Sequence, residues 1–277
     1  MSGGRRLASL LGAAALLATT CAPAHAQGWR ERLRRAAETA GQVARTLLPI
    51  STDKEVEIGR GVAATIAGRY PVSQDEKLTA YVNLVGLAVA GEAPRPDIAY
   101  RFAVLETPDV NAFAAPGGYI FITRGSLNLI ESEAELAGVL AHEVGHVNRR
   151  HVIEQIRKAD VMREVRDQAG LTGDMLDRVV GQGANVLFTG LSRDDELEAD
   201  SLGVEYAASA GYTPAGLAAF VTKLGQHGSE GPLAELTATH PRPGDRIDRL
   251  NRIAGRIGAG GATLAERFRQ YVLPGKR

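Results

Sequence analysis

The segment His142-Glu-Val-Gly-His146 constrains this chain more than any other feature, because its spacing demands a helix. Residues four apart lie on one face of an α-helix, so His142 and His146 can point at the same metal ion. Glu143 lies between them, one step around the helix, where a general base for a water molecule at that metal would stand. The short pattern also occurs by chance in helices that bind no metal. Other features of the chain must therefore decide whether this one is a metal site.

The residues around this segment predict a buried helix with three distinct faces. Ser132 followed by Glu135 has the pattern of a capping box, which sets a helix start before the motif. At about 100° per residue, the face opposite the two histidines is apolar and carries Leu136, Leu140, Val144 and Val147. A third strip has only small residues, Gly138, Ala141 and Gly145. Such a helix can pack closely against its neighbours while its histidines face a site.

A catalytic zinc ion usually takes three protein ligands and one water molecule, so the two histidines need a partner. The segment Glu196-Leu-Glu-Ala-Asp200 lies further along the chain, and Ser192 before it predicts another helix start. On that helix Glu196, Asp200 and Gly203 share one face. Glu196 is therefore the best candidate for the third metal ligand.

Of the other residues on and around these two helices, Asp200 and Gly203 are predicted to support the site, and four polar residues are predicted to lie at the surface. Asp200 can accept the free ring N–H of His142, which would fix the tautomer of that histidine. Gly203 lets the two helices approach closely. A solvated or ordinary polar surface position is predicted for the others, Glu198, Glu205, His151 and His227.

Together these segments resemble the M48, or Ste24-type, family of zinc metallopeptidases, of the gluzincin kind. The Glu-x-x-x-Asp element separates that family from other groups with the same histidine motif. The resemblance implies a mostly helical α+β zincin domain with a small β-sheet. The matching pieces cover nearly the whole chain after its N-terminus: Glu57-Ile-Gly-Arg60, Tyr81-Val-Asn83, Asn111-Ala-Phe-Ala114, Gly117-Gly-Tyr-Ile120, His142–His146, Ser192-Arg193, Glu196–Asp200, and Thr239-His-Pro with Arg246.

The resemblance also implies a reaction and a set of site residues. It assigns one zinc ion per chain to three ligands, His142, His146 and Glu196. Glu143 would be the base, and His240 and Arg246 would line the site. Both would stabilise the negatively charged oxygen that develops on the scissile carbonyl, the oxyanion. Alternatively, His240 would occupy a fourth metal position in a resting state. The chain would then be a zinc metalloendopeptidase whose polypeptide substrates are misfolded or unassembled cell-envelope proteins.

Two other classes of function compete with this interpretation. A periplasmic chaperone or adaptor for outer-membrane protein assembly would keep a latent or structural zinc site. A purely structural site needs no base, however, and the chain has Glu143. Metal storage or transport would call for a His-rich tract, and the chain has only six histidines in all. The likeness to small exported members, without membrane spans or C-terminal helical repeats, also admits peripheral association with the outer membrane or its assembly machinery.

The N-terminus has the pattern of a signal peptide over residues 1–26. Two arginines precede an apolar run, residues 7–20, which is too short to span a membrane. The small-x-small sequence that ends at Ala26 is a cleavage site, so we expect export to the periplasm and a mature chain that begins at Gln27. Cys21 would permit a lipoprotein anchor instead, but the Ala-Thr-Thr sequence before it fits an anchor poorly.

The rest of the chain divides into a basic, helix-patterned segment, residues 27–50, and the peptidase-like domain, residues 51–277. The whole chain has 32 basic and 32 acidic residues, and loss of Arg5 and Arg6 with the signal peptide leaves 30 against 32. This near balance argues against nucleic acid as a partner. Cleavage also removes the single cysteine, so the core must stabilise the domain without disulfides.

Two strands and a glycine-rich segment are predicted around the site. Residues 100–105 and 118–123 have strand patterns. By the resemblance, residues 118–123 form the edge strand above the metal, where an extended peptide could add through main-chain bonds. An ordinary buried strand is the alternative. Residues 151–168 and 174–189 look helical, with breaks at Gly170, Gly173, Gly181, Gly183 and Gly190. This pattern indicates a movable cover, and a poorly ordered segment is the alternative.

Overall fold

The computed structural model describes residues 50–159, 173–226, 236, 239, 240 and 243–272. The predicted signal peptide and all of the basic segment except Ile50 lie outside these residues. So do His227 and the central part of the predicted cover, residues 160–172. Within the described ranges, none of the helices is long and apolar enough to cross a membrane.

Helices surround a small three-stranded sheet in the described part of the chain. The helices are α1 (Thr52–Arg69), α2 (Glu76–Ala90), α3 (Arg124–Leu129), α4 (Glu133–Asn148), α5 (His151–Lys158), α6 (Gly173–Thr189), α7 (Arg193–Ser209), α8 (Gly216–Gln226), α9 (Pro243–Ile257) and α10 (Ala265–Val272). The strands are β1 (Arg101–Leu105), β2 (Ala112–Ala115) and β3 (Tyr119–Thr123), with a 3₁₀ turn at Pro116–Gly118. The mostly helical α+β class is confirmed.

The central strand of the sheet is β3, because the strand order is β1-β3-β2. It pairs in parallel with β1 and antiparallel with β2, where Phe113 stands opposite Phe121. The prediction that residues 118–123 form the edge strand above the metal is therefore wrong, and its alternative, a buried strand, is correct. The edge strand beside the site is β2. The sequence did not reveal it because its four residues are mostly alanine, which is uncommon in strands.

The two site helices, α4 and α7, pack directly against each other. Every residue of α4 from Glu133 to Val147 is buried. A Cβ on Gly145 would lie 3.4 Å from the Cα of Ala199, and a Cβ on Gly203 would lie 3.0 Å from the backbone nitrogen of His142. The small-residue strip of α4 and the glycine of α7 thus permit the close approach that the sequence predicts.

Capping side chains set where the two site helices begin. The Ser192 hydroxyl accepts from the Asp195 N–H of α7, and the Asp195 side chain accepts from the Ser192 N–H, so this capping box is complete. Ser132 likewise caps α4 by accepting from the Glu135 N–H. A capping box would have the Glu135 carboxylate accept from the Ser132 N–H. Here that carboxylate accepts instead from the N–H of the preceding residue, Glu131.

The segment after α4 differs from its prediction at two glycines. Helix α6 runs through Gly181 and Gly183, so these residues are not breaks. A Cβ on Gly183 would lie 2.9 Å from a methyl carbon of Val62, so this glycine allows α6 to pack against α1. Gly190, just beyond the end of α6, has a φ of 95° and forms a break as predicted.

Candidate metal centre

Four side chains converge where α4 meets α7, namely His142, His146, Glu196 and His240, with potential ligand atoms within 4.8 Å of one another. The Nε2 atom of His142 lies 3.6 Å from Glu196 Oε2, and the Nε2 atom of His146 lies 3.3 Å from Glu196 Oε1. His240 joins from the segment before α9, with Nδ1 2.6 Å from Glu196 Oε2. This group could hold one metal ion.

The chemistry of these atoms fits a metal cation. Glu196 is fully buried, and within the described part of the chain its Oε1 atom has no hydrogen-bond partner. A buried carboxylate needs compensation for the water it has lost. The Nε2 atoms of His142 and His146 lie 3.0 Å apart beside it, and imidazole nitrogens with a carboxylate are the ligand types of catalytic zinc sites.

His142 is supported from behind by a direct contact with a carboxylate. Its Nδ1 atom lies 3.1 Å from Asp200 Oδ1. Arg246 donates to both oxygens of Asp200, from Nε at 2.9 Å and from Nη2 at 2.6 Å. All three side chains are buried. Asp200 thus stands where the sequence predicts, and we call His142, Asp200 and Arg246 the direct arm.

His146 is supported through a second histidine. Its Nδ1 atom lies 2.8 Å from His151 Nδ1, and His151 Nε2 lies 3.1 Å from Glu198 Oε2. The Arg149 guanidinium donates to Glu198 from Nε at 2.6 Å. The surface interpretation of His151 is wrong, since this residue is 4 % exposed. Glu198 is only partly solvated, whereas Glu205 is exposed as predicted. We call His146, His151, Glu198 and Arg149 the extended arm.

The turn after α4 explains why the sequence did not reveal His151. On a continuous helix, His151 would lie about 140° around the axis from His146. Helix α4 instead ends at Asn148, and Arg150 adopts a left-handed conformation with φ 59°. This reversal places the first residue of α5 behind His146. Only the five-residue spacing of the two histidines hints at the contact, and no helical or strand periodicity predicts it.

The two histidines of the motif differ in their electrostatics. Burial by itself lowers the pKa of a histidine. For His142 the hydrogen bonds and negative charges of Asp200 and Glu196 outweigh burial and raise the pKa to about 9. Burial lowers the pKa of His146 to about 4 in spite of Glu196. For Glu196 itself, burial is outweighed by His240 and His146, and its pKa is held well below the usual range.

Glu143 is buried and lines two cavities that open to solvent, with about 360 Å³ and 290 Å³ of empty space when their openings are included. The larger cavity is mainly apolar, and α8 contributes Leu217, Phe220, Val221 and Leu224 to it. The smaller cavity lies between strand β2 and the end of α6, and its wall includes Phe113, Ala114, Val186, Leu187 and Leu191. Burial raises the pKa of Glu143, although His142 and His240 oppose this effect.

Three more polar side chains reach the larger cavity. His240 and Arg246 line it, as the resemblance implies. In the sequence, Asn111 stands out only as part of a segment that matches the M48 family. In the structure, this residue also lines the cavity. Its Nδ2 atom is buried and has no hydrogen-bond partner among the residues that the structure describes. A buried donor of this kind, in the cavity that Glu143 also lines, is suited to a polar group of a bound molecule.

Comparison with known proteins agrees with this geometry. The family described as Peptidase family M48 matches residues 76–254, which is more than half of the chain. The chain belongs to peptidase family M48. The resemblance derived from the sequence motifs is thereby confirmed.

Individual M48 relatives are named as proteases. The beta-barrel assembly-enhancing protease of Yersinia pestis is 30% identical over 244 residues, which cover 78% of this chain and 49% of that protein. Metalloprotease LoiP of Escherichia coli (strain K12) is 28% identical over 180 residues, or 63% of this chain and 68% of that protein. This M48 chain spans about half the length of the beta-barrel assembly-enhancing proteases that it matches.

Proposed function

We propose that this chain is a zinc-dependent metalloendopeptidase that binds one zinc ion through three residues, His142, His146 and Glu196. One observation carries the proposal: these three ligands converge on one point, and Glu143 stands beside them between two cavities. A structural metal site has no use for an additional buried carboxylate next to its ligands. Membership of family M48 and the protease names of its relatives support the same conclusion.

Glu143 is the proton carrier in this proposal. The zinc ion, when bound, would polarise the scissile carbonyl and acidify a water molecule. Glu143 would accept a proton from that water and later deliver it to the leaving amine. Because Glu143 lines both cavities, it would lie next to a substrate whose scissile bond spans them.

Strand β2 would hold the substrate backbone. Among the described strands, none pairs with the edge of β2 that faces away from β3. An extended peptide could add to this edge through main-chain hydrogen bonds. It would enter between β2 and the end of α6, where Val186 and Leu187 line the smaller cavity. The apolar wall formed by α8 would accept a hydrophobic side chain of the substrate.

Arg246 and His240 have separate roles in this proposal. Two of the Arg246 nitrogens are occupied by Asp200, so its first task is to hold the direct arm, and its charge faces the cavity behind that contact. His240 lies within the ligand group and contacts Glu196. We therefore favour the resting-state role, in which His240 takes a fourth metal position and keeps the enzyme latent.

The His240→Ala variant distinguishes the two roles of this histidine. If His240 blocks the metal at rest, its removal raises the rate of casein cleavage. A fall of roughly 10²- to 10³-fold would instead assign it to the oxyanion. An unchanged rate would remove His240 from the site. Zinc content, measured in parallel, ensures that the compared samples carry equal metal.

The cellular part of the proposal is export to the periplasm and cleavage of misfolded or unassembled envelope proteins there, near the outer membrane or its assembly machinery. It is supported by the signal-peptide pattern of residues 1–26 and by relatives named for enhancing β-barrel assembly. Mass spectrometry of the exported protein tests the first step. We expect a chain that begins at Gln27, and a lipid-modified chain that begins at Cys21 would contradict the cleavage site.

Zinc content and proteolysis of the purified mature protein test the activity itself. We expect about one zinc ion per chain and cleavage of casein. A chelator should abolish that cleavage, and added zinc should restore it. Cleavage that persists after complete removal of the metal would overturn the proposal.

A further inference from the structure

We propose that His151 is a positioning residue of the metal site, which links the ring of His146 to the carboxylate of Glu198 by a directed pair of hydrogen bonds. This inference rests on the proposed function, because it concerns how a zinc ligand is held. The two contacts, His146 Nδ1 to His151 Nδ1 at 2.8 Å and His151 Nε2 to Glu198 Oε2 at 3.1 Å, carry it.

The chemistry of the three groups allows only one direction for these bonds. A neutral imidazole that binds a metal through Nε2 must carry its proton on Nδ1. His146 is therefore the donor in its contact with His151, whose Nδ1 must present a lone pair. The proton of neutral His151 is then on Nε2, opposite the Glu198 carboxylate, which can only accept. The metal at one end and the carboxylate at the other thus set both tautomers.

The far end of the link is anchored to the helix that carries Glu196. Glu198 lies two residues after Glu196 on α7, and Arg149 at the end of α4 holds its carboxylate. A second α7 carboxylate, Asp195 Oδ1, lies 3.7 Å from His151 Nε2. The extended arm therefore ties a ligand on α4 to the helix of a ligand on α7. Any shift of His151 would move two ligands relative to each other.

Burial makes the link between His146 and Glu198 sensitive to the loss of any of its hydrogen bonds. His151 and His146 are 4 % and 2 % exposed, so water cannot readily replace either partner. A ring that loses its acceptor here would keep an unsatisfied buried N–H, which favours a different ring orientation. Groups of this kind behind a metal-binding histidine contribute about 10- to 100-fold to metal affinity in other sites.

Three variants test the inference through zinc affinity, measured by competition with a chelator. His151→Leu removes the acceptor and should weaken zinc binding by about 10- to 100-fold. His151→Asn places an amide oxygen near the position of Nδ1 and should recover most of the affinity. Val152→Ala is the matched control, because it trims the next, buried residue of α5, which belongs to the hydrophobic core and not to the extended arm. This control should lower the melting temperature and leave zinc affinity unchanged.

The wild-type protein gives a second readout that does not depend on the folding of any variant. In zinc-loaded protein with ¹⁵N-labelled histidine, NMR should show the ring proton of His146 on Nδ1 and that of His151 on Nε2. The opposite tautomer of His151 would overturn the inference. So would wild-type zinc affinity in His151→Leu, or an equal loss in Val152→Ala. A wild-type protein that binds no zinc would overturn the proposed function and this inference together.

Discussion

The direct arm and the extended arm support two equivalent ligands by different means. His142 meets the Asp200 carboxylate at once, whereas His146 reaches Glu198 only through His151. The ion pair at the end of the direct arm is buried, with side-chain exposures of 5% for Arg246 and 0% for Asp200. The corresponding values for Arg149 and Glu198 are 51% and 39%. His142 and His146 therefore lie on successive turns of α4 but depend on a buried ion pair in one case and on an exposed one in the other.

This difference predicts unequal sensitivity to mutation. Removing one partner of a buried ion pair leaves an uncompensated charge and is strongly destabilising. Removing one partner of an exposed pair costs little, because water takes its place. Substitutions in the Asp200–Arg246 pair should therefore have large effects on the direct arm. In the extended arm, the sensitive residue should be the buried His151 rather than the exposed Arg149.

Loss of the ligand on which both arms converge should have the largest effect. In Glu196→Ala the two histidines alone would leave a weak site, so we expect zinc and casein cleavage to be lost together. Metal analysis after dialysis against a chelator checks the first loss. Full zinc occupancy with normal affinity would show that another residue, His240 being the nearest, is the third ligand.

Breaking the direct arm should have the next largest effect. Asp200→Asn keeps the shape of the side chain but leaves the buried Arg246 without its counter-charge. We expect a loss of about 3–5 kcal/mol in the free energy of unfolding, measured in urea. Zinc affinity should fall by about 10- to 100-fold. A variant as stable as the wild type would mean that this pair does not hold the arm.

Forcing the two site helices apart tests whether both arms depend on close packing. In Gly203→Ala the new methyl group would lie 3.0 Å from the His142 nitrogen, so we expect a destabilisation of about 1–3 kcal/mol. Gly255→Ala in α9 is the matched control, because a Cβ there would have no atom of the described residues within 4 Å. That control should be neutral or stabilising, by up to about 1 kcal/mol. Equal unfolding free energies for the two variants would contradict the packing argument.

The exposed end of the extended arm should give the smallest effect. Arg149→Ala removes a partner of Glu198 that is half solvated, so the free energy of unfolding should change by only about 0–1 kcal/mol. Glu198 would still accept from His151, and zinc affinity should stay close to that of the wild type. A loss of zinc affinity as large as that of Asp200→Asn would erase the distinction between the arms.

The sequence predicted the parts of the site that depend on regular helices. His142 and His146 share a face of α4, and Glu196 and Asp200 share one of α7, because spacing along a helix determines direction. His151 was missed because Arg150 reverses the chain in a left-handed conformation that no local pattern indicates. Strand β2 was missed because its burial and its pairing with β3, rather than strand propensity, decide its conformation.

The Glu143→Gln variant tests the central claim most directly. The amide has nearly the same size as the carboxylate but cannot take a proton, so the variant should bind zinc like the wild type and cleave no detectable casein. In cells that lack the protein, it should also fail to correct an envelope defect that the wild type corrects. Normal casein cleavage by the zinc-loaded variant, or full correction of that defect, would show that Glu143-dependent proteolysis is not what this protein does.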